Sequence, residues 1–299
     1  MAVKKKSHIM HWKLTGLFFV LPSLTGVCVF LLVPFLDVVR RSFLGAVSEE
    51  WVGFKNYITV FQNGAFRLAA GNTLRFVAVC IPLLILLSLF FSVFLQGKVK
   101  GSHMIKMAFL VPMAIPVASV VLLWRVLFHG QGLINGLLAG HSLFAEHGLL
   151  TGLGFGTTDW MNTDYAFGVL VFSYLWKNIG YNIILWSAGL AAIPESIYEA
   201  ARMDGAGNVR IFFRITLPNL WPVLNTIAVL SLLNSFKVFR EAYLVAGDYP
   251  HESMYLVQHL FNNWFRELSL DKISAAAILV SIVITFLVIQ LERRLGEGQ

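Results

Sequence analysis

The apolar positions of this chain fall in long unbroken runs, not in the one-sided stripe of a surface helix or the alternation of a half-buried strand. Six runs, at 14–36, 73–95, 105–127, 166–190, 222–246 and 273–291, are each close to the ~20 residues a helix needs to cross about 30 Å of hydrocarbon. A transmembrane barrel would show alternating segments of about ten residues; a run such as IPLLILLSLFFSVFL satisfies its backbone inside lipid only as a helix. The pattern predicts an all-α polytopic membrane protein of six transmembrane helices. Its parts are a cytoplasmic tail at 1–13, a first helix and extracytoplasmic segment at 14–72, a five-helix core at 73–291 and a cytoplasmic tail at 292–299. Pro112 and Pro116 are expected to kink the third span.

Composition changes the picture little. With 57% hydrophobic and 13% charged residues among 299, the chain lies far from the ~25% charged residues of soluble domains. Its formal net charge of +7 does not mark a nucleic-acid surface, because Lys and Arg sit at the ends of the apolar runs, where they set topology. The parts that would be inside hold twelve (Lys4, Lys5, Lys6, Lys13, Lys98, Lys100, Lys106, Arg202, Arg210, Arg214, Arg293 and Arg294) against seven outside, which places both termini in the cytoplasm. The basic start before Leu14 is read as an uncleaved first helix, since the run to Leu36 is long enough to span and lacks a small-x-small cleavage site. Cys28 and Cys80 both lie in apolar runs, so no disulfide framework is expected. Arg125, at the outer end of the third span, is expected to snorkel. His141 and His147 are read as surface residues, and the Gly-rich stretch from Gly148 to Gly156 lacks the order of a phosphate loop.

Between the fourth and fifth spans lies a charged island, 194–218. Pro194 suits a first helical position, Glu195 and Glu199 favour the N-terminal end, and Gly205 can take the left-handed conformation that closes a helix. Asn208 is expected to cap a second helix, with Arg210 and Arg214 on one stripe, until Pro218 and Pro222 break the run. The prediction is a helix-turn-helix elbow outside the bilayer. A plain alternative is an amphipathic loop in which Glu199 pairs with Arg202.

The residues of this elbow resemble a known motif. Glu199-Ala200-Ala201, Gly205 after three residues, and Ile215-Thr216-Leu217-Pro218 after nine more look like the Glu-Ala-Ala loop of the membrane subunits of binding-protein-dependent ABC importers. Gly189-Leu190, Ile193-Pro194 and Asp204-Gly205-Ala206 match the carbohydrate-uptake branch, and further similar stretches include Val52–Tyr57, Asn72–Phe76, Gly132–Asn135 and Trp176-x3-Gly180. Gly247-Asp248-Tyr249-Pro250 departs from the run of glycines many relatives carry there. The resemblance implies a permease subunit in the cell membrane whose elbow is the coupling helix, with Glu199, Ala200, Ala201, Asp204, Gly205, Ile215, Leu217 and Pro218 facing a separate ATPase. It implies as partners a second related permease chain, two ATP-binding subunits holding ATP and Mg, an extracytoplasmic solute-binding protein and a sugar. No GxxxxGK[ST] stretch occurs in this chain, so no ATP site of that kind is expected in it.

Transport needs polar groups inside the bilayer, and the fourth and fifth spans supply them. Tyr174, Lys177, Asn178, Tyr181 and Asn182 share one side of the fourth span; Ser231, Asn234, Lys237 and Glu241 share a face of the fifth. A Lys at the bilayer centre costs at least ~2.5 kcal/mol, so a wet or partnered surface is expected, and Lys237 and Glu241, four apart, are placed to pair. The two stripes are read as walls of a substrate path, or alternatively as polar glue between helices. Outside the membrane, Trp51, Phe54, Tyr57 and Phe61 suit a short interfacial helix or, alternatively, an aromatic belt anchor. Two rivals stand beside the importer: an ion-coupled secondary transporter, which would use several membrane carboxylates and repeated halves, and an intramembrane enzyme, which would need clustered catalytic groups at depth. Glu241 is the only acid well inside a span, and the histidines are read as lying in loops or tails.

Overall fold

The computed structural model describes residues 19–46, 49–96, 101–138 and 158–296. His141, His147, the run from Gly148 to Gly156, and Lys4, Lys5, Lys6, Lys13, Lys98 and Lys100 lie outside these residues. What is described is helical; its only strand-like feature is the isolated bridge between Leu44 and Trp51. In chain order the helices are α1 (Phe19–Arg41), α2 (Lys55–Gln62), α3 (Gly64–Gln96), α4 (Ser102–Ala114), α5 (Val117–Phe128), α6 (Leu133–Leu138), α7 (Tyr165–Ala191), α8 (Glu195–Met203), α9 (208–219), α10 (Trp221–Ser235), α11 (Phe239–Ala246), α12 (Val257–Arg266) and α13 (Leu270–Gly296).

Among the described residues, five segments are long and apolar enough to cross a membrane: Phe19–Arg41, Gly64–Gln96, Val117–Leu137, Trp221–Ala246 and Leu270–Arg293. Two differences from the expected six have physical causes. The run at 105–127 is not one kinked helix: α4 ends at Ala114, Ile115 is extended, and Pro116 is the N-cap of the next helix, where its missing N–H leaves no bond unmade. Pro112 sits inside α4 without breaking it. The fourth run forms α7, whose 27 residues reach about 40 Å, but its Lys177, Asn178 and Asn182 lower its apolar character and it is not among the five.

The chain divides into two units, one made of residues up to 63 with Trp264–Val283, the other of Gly64–Asn263 with the end of α13. In the first, α1 turns through a π-helical segment at Cys28–Leu32 and buries none of its residues there. Beyond α1, the buried Asn56 donates to the carbonyls of Ser42 and Leu44 at 3.0 and 2.8 Å, and Phe43 stacks on Trp51. The expected short helix is present as α2, with Trp51, Phe54 and Phe61 exposed.

In the second unit α3 and α7 form the central pair. Phe76, Cys80 and Leu84 pack with Tyr174, Ile179 and Ile183, and polar contacts continue the seam: Trp186 Nε1 donates to Ser88 Oγ at 3.0 Å, and Ser92 and Ser187 hydroxyls meet at 3.0 Å. Small residues set how close the helices come. A methyl group on Gly180 would lie 1.9 Å from the carbonyl oxygen of Phe109, so α4 crosses α7 with backbone against backbone. One on Gly189 would lie 2.6 Å from Val223, fixing α7 against α10. Near the N-terminal end of α3, Asn72 donates to the carbonyls of Glu252 and Tyr255, and Thr73 Oγ1 accepts from the Val257 N–H. Arg125 is exposed and donates to the Leu244 and Val245 carbonyls at 2.9 and 3.3 Å, so it caps α11 and does not simply extend into solvent.

Candidate functional site

Two constellations predicted from the sequence come together in the second unit, and the same helices carry both. The first is the elbow. Pro194 is the N-cap of α8, one position before that expected, with φ −60° and ψ 134°. At the other end Gly205 has φ +75°. The Gly205 N–H donates to the Arg202 carbonyl at 3.0 Å and the Ala206 N–H to the Ala201 carbonyl at 2.9 Å. This is the Schellman arrangement that closes a helix through a left-handed residue. Asn208 is the first residue of α9, and Gly207 takes the N-cap position without a side-chain bond. Pro218 and Pro222 do not stop the helix. A π-helical turn at Phe212–Thr216 precedes Pro218, and Pro222 enters the first turn of α10, so both prolines sit where a missing N–H is tolerated. Only Leu220 interrupts helical structure between 208 and 235.

Within the elbow α8 buries none of its residues. Glu199, Ala200, Asp204, Gly205 and Pro218 are exposed, while Ala201, Ile215 and Leu217 are half-buried. Large apolar side chains are also uncovered: Met203 at 88%, Val209 at 72% and Phe213 at 61% exposure. Tyr198 Oη and Thr216 Oγ1, 3.2 Å apart, tie α8 to the second limb. Among the described residues, ion pairs occur between Asp37 and Arg41 and between Lys177 and Glu241; the alternative in which Glu199 is used up by Arg202 is not what is observed.

The second constellation is a cavity of about 460 Å³ lined by α7, α10 and α11, with Met113 and Val117 from α4 and α5. It gathers Tyr174, Lys177, Asn178, Asn234, Lys237 and Glu241 from the expected substrate path. Ser231 and Tyr181 are not on its wall. Ser231 is buried at the helix interface, where its carbonyl accepts from Tyr174 Oη at 2.7 Å and its hydroxyl from Asn182 at 3.4 Å; for this residue the polar-glue alternative holds.

The pairing inside the cavity also corrects an expectation. Lys237 does not pair with Glu241. Between them the helix tightens to a 3₁₀ turn at Phe236–Val238 before α11 starts, and the i,i+4 register is lost. Glu241, 9% exposed, instead pairs with Lys177 across the cavity, and Lys237 Nζ bonds Asn234 Oδ1 at 2.8 Å. A buried pair of this kind offsets the desolvation of both charges only while both are present. Sequence reasoning missed Ser173, Phe236, Phe239 and Arg240 on the wall; the 3₁₀ turn that brings the last three there leaves no mark in periodicity.

A neighbouring residue was also misplaced. His259 lies not in a loop but in α12, fully buried, edge-on to Phe239 at 4.8 Å. Its Nδ1 accepts the Leu256 N–H at 3.1 Å, while Nε2 has no partner among the described residues. Burial pushes its pKa down to about 4, against a smaller opposing pull from Asp248. Before α7, Asp159 is held below the usual carboxylate range, chiefly by the Asn162 side chain that donates to it. Asn135 is buried, donates to the Gly130 and Thr158 carbonyls and accepts from Trp160 Nε1, which gives the Gly132–Asn135 stretch its structural use.

With this geometry in place, comparison with known proteins is direct. Residues 76–297 match the family described as binding-protein-dependent transport system inner membrane component. The chain is 32% identical over 249 residues to the sn-glycerol-3-phosphate transport system permease protein UgpA of Escherichia coli O6:K15:H31, covering 82% of this chain and 78% of that protein. It is 29% identical over 284 residues to the trehalose/maltose transport system permease protein MalF of Thermococcus litoralis, covering 93% and 92%. Its fold is shared, at a TM-score of 0.77 and 22% identity over 98% of both chains, with a chain of a bacterial ABC transporter involved in the import of the acidic polysaccharide alginate. The chain belongs to the family of binding-protein-dependent transport system inner membrane components.

Proposed function

We propose that this chain forms half of the pore of an ATP-driven sugar importer and receives its drive through the elbow at 194–218. The observation that carries the proposal is continuity: α7 and α10, two walls of the polar cavity, are the helices that the elbow joins. A push on α8 reaches the cavity through the backbone, with no intermediary. The uncovered Met203, Val209 and Phe213 beside the free Glu199 carboxylate supply what a docking surface needs, apolar area with a charge to orient it. The partner is a separate ATPase dimer that holds ATP and Mg. A second, related chain completes the pore, and an extracytoplasmic solute-binding protein delivers the sugar.

Six membrane crossings, with α7 as the fourth, place both termini and the elbow inside, as the Lys and Arg distribution favours. α7 enters the bilayer despite Lys177 because Glu241 and the cavity shelter that charge. Asn178, Asn234 and the Lys177–Glu241 pair offer donors and acceptors for hydroxyl groups, and Phe239 offers a ring for apolar sugar faces. The assembled transporter in proteoliposomes tests this reading. Glu199→Arg should leave the chain folded and inserted but lower ATP-driven uptake at least tenfold. A transporter that runs at full rate without 194–218, or Glu199 labelled from the outer side, overturns it.

A further inference from the structure

The charges on the cavity wall do not balance, and the imbalance indicates the solute. Three cations, Lys177, Lys237 and Arg240, face one carboxylate, Glu241; the other lining residues are uncharged. Glu241 is committed to Lys177. Lys237 is bonded only to a neutral amide, Asn234, and both Lys237 and Arg240 are exposed. No acidic side chain from α4, α5, α7 or α10 lines the cavity beside them. Two positive charges are therefore left without an acidic partner on this chain's part of the cavity wall, and a cleft lined by one sign of charge draws anions in.

We infer that the solute carried through this cavity is an anionic carbohydrate, a hydroxyl-rich molecule bearing a carboxylate or a phosphate ester, with Lys237 and Arg240 as the groups that select the charge. This rests on the reading of the cavity as the solute path. Both anions present the same feature, paired oxygens that a guanidinium meets with two parallel N–H bonds and an ammonium meets as a point charge. The Lys177–Glu241 pair and Asn178 are left for the hydroxyls. A neutral sugar would fill the same space but leave the two cations unanswered.

Equilibrium binding to the assembled transporter, purified without its solute-binding protein, tests this. The probes are glucuronic acid disaccharide, glucose 6-phosphate and maltose. The acidic probe that fits should bind at least tenfold more tightly than maltose and weaken as salt is raised. Lys237→Gln with Arg240→Gln should remove that advantage, and Lys237→Arg with Arg240→Lys should keep most of it. Tighter binding of the disaccharide identifies a sugar acid, and tighter binding of glucose 6-phosphate a sugar phosphate. Maltose binding as tightly as both acids, with the Gln pair changing nothing, overturns the inference. If Asn178→Leu also leaves binding of every probe unchanged in an assembled transporter, the cavity is not the path, and the underlying reading fails with it.

Discussion

The elbow and the cavity lie on the same two helices but are held in opposite ways. The elbow is built locally: a left-handed glycine, a Schellman pair of hydrogen bonds and one hydroxyl contact between Tyr198 and Thr216 fix its shape, and its first limb, α8, buries none of its residues. The cavity is built from distance. Lys177 meets Glu241 across 64 residues and Tyr174 meets Ser231 across 57, and these side chains are buried or nearly so. The surface proposed to dock another protein is thus stiff on its own, whereas the proposed solute chamber draws its order from residues distant in the chain.

That contrast can be broken at the crossing beneath the cavity. Gly180→Ala should have the largest effect, because the added methyl would meet the Phe109 backbone and the loss should exceed the ~1–3 kcal/mol of ordinary overpacking; little folded transporter should survive detergent extraction. Glu241→Gln should follow, stranding Lys177 at a cost of about 3–5 kcal/mol. Exchanging the pair, Lys177→Glu with Glu241→Lys, should recover most of the stability but not uptake, which separates the pair's structural role from its solute contacts.

Acid should strike the cavity side next. His259 is neutral when folded, its pKa depressed to about 4 from ~6.5 when exposed. Between these values the unfolded chain binds the extra proton, so stability is full above pH ~6.5 and falls towards pH 4, by a few kcal/mol. His259→Gln should flatten the pH dependence of the thermal midpoint. The smallest effect belongs to the elbow: Gly205→Ala, forced to φ +75°, should cost about 1 kcal/mol, seen as a loss of ATPase coupling with the midpoint nearly unchanged. A large fall in the midpoint would show that the elbow is not self-contained.

How much was legible follows the same division. The helix ends of the elbow are written in nearby residues, so Pro194, Gly205 and the two limbs could be placed to within a position or so. The cavity was only half visible. Helical spacing put Tyr174, Lys177 and Asn178 on one wall, but the 3₁₀ turn at 236–238 rotated Arg240 and Phe239 onto the other and dissolved the expected Lys237–Glu241 pair. At α7, which covers the run read as the fourth span, the very residues that make the chamber polar lower its apolar character, and it is not among the five candidate spans. The prolines misled in both directions. Pro116 separates two helices, while Pro218 and Pro222 lie at helix starts and interrupt little.

The contact of Gly180 with the Phe109 carbonyl makes the crossing of α4 and α7 a fulcrum: with main chain seated on main chain, the two rods can scissor but not slide. From Gly180, Tyr174 on the chamber wall lies about 9 Å along the axis, and Ala191, where α7 hands over to the elbow, about 16 Å. Any tilt about this point is therefore geared down nearly twofold, a broad swing at the elbow end becoming a fine adjustment of the chamber.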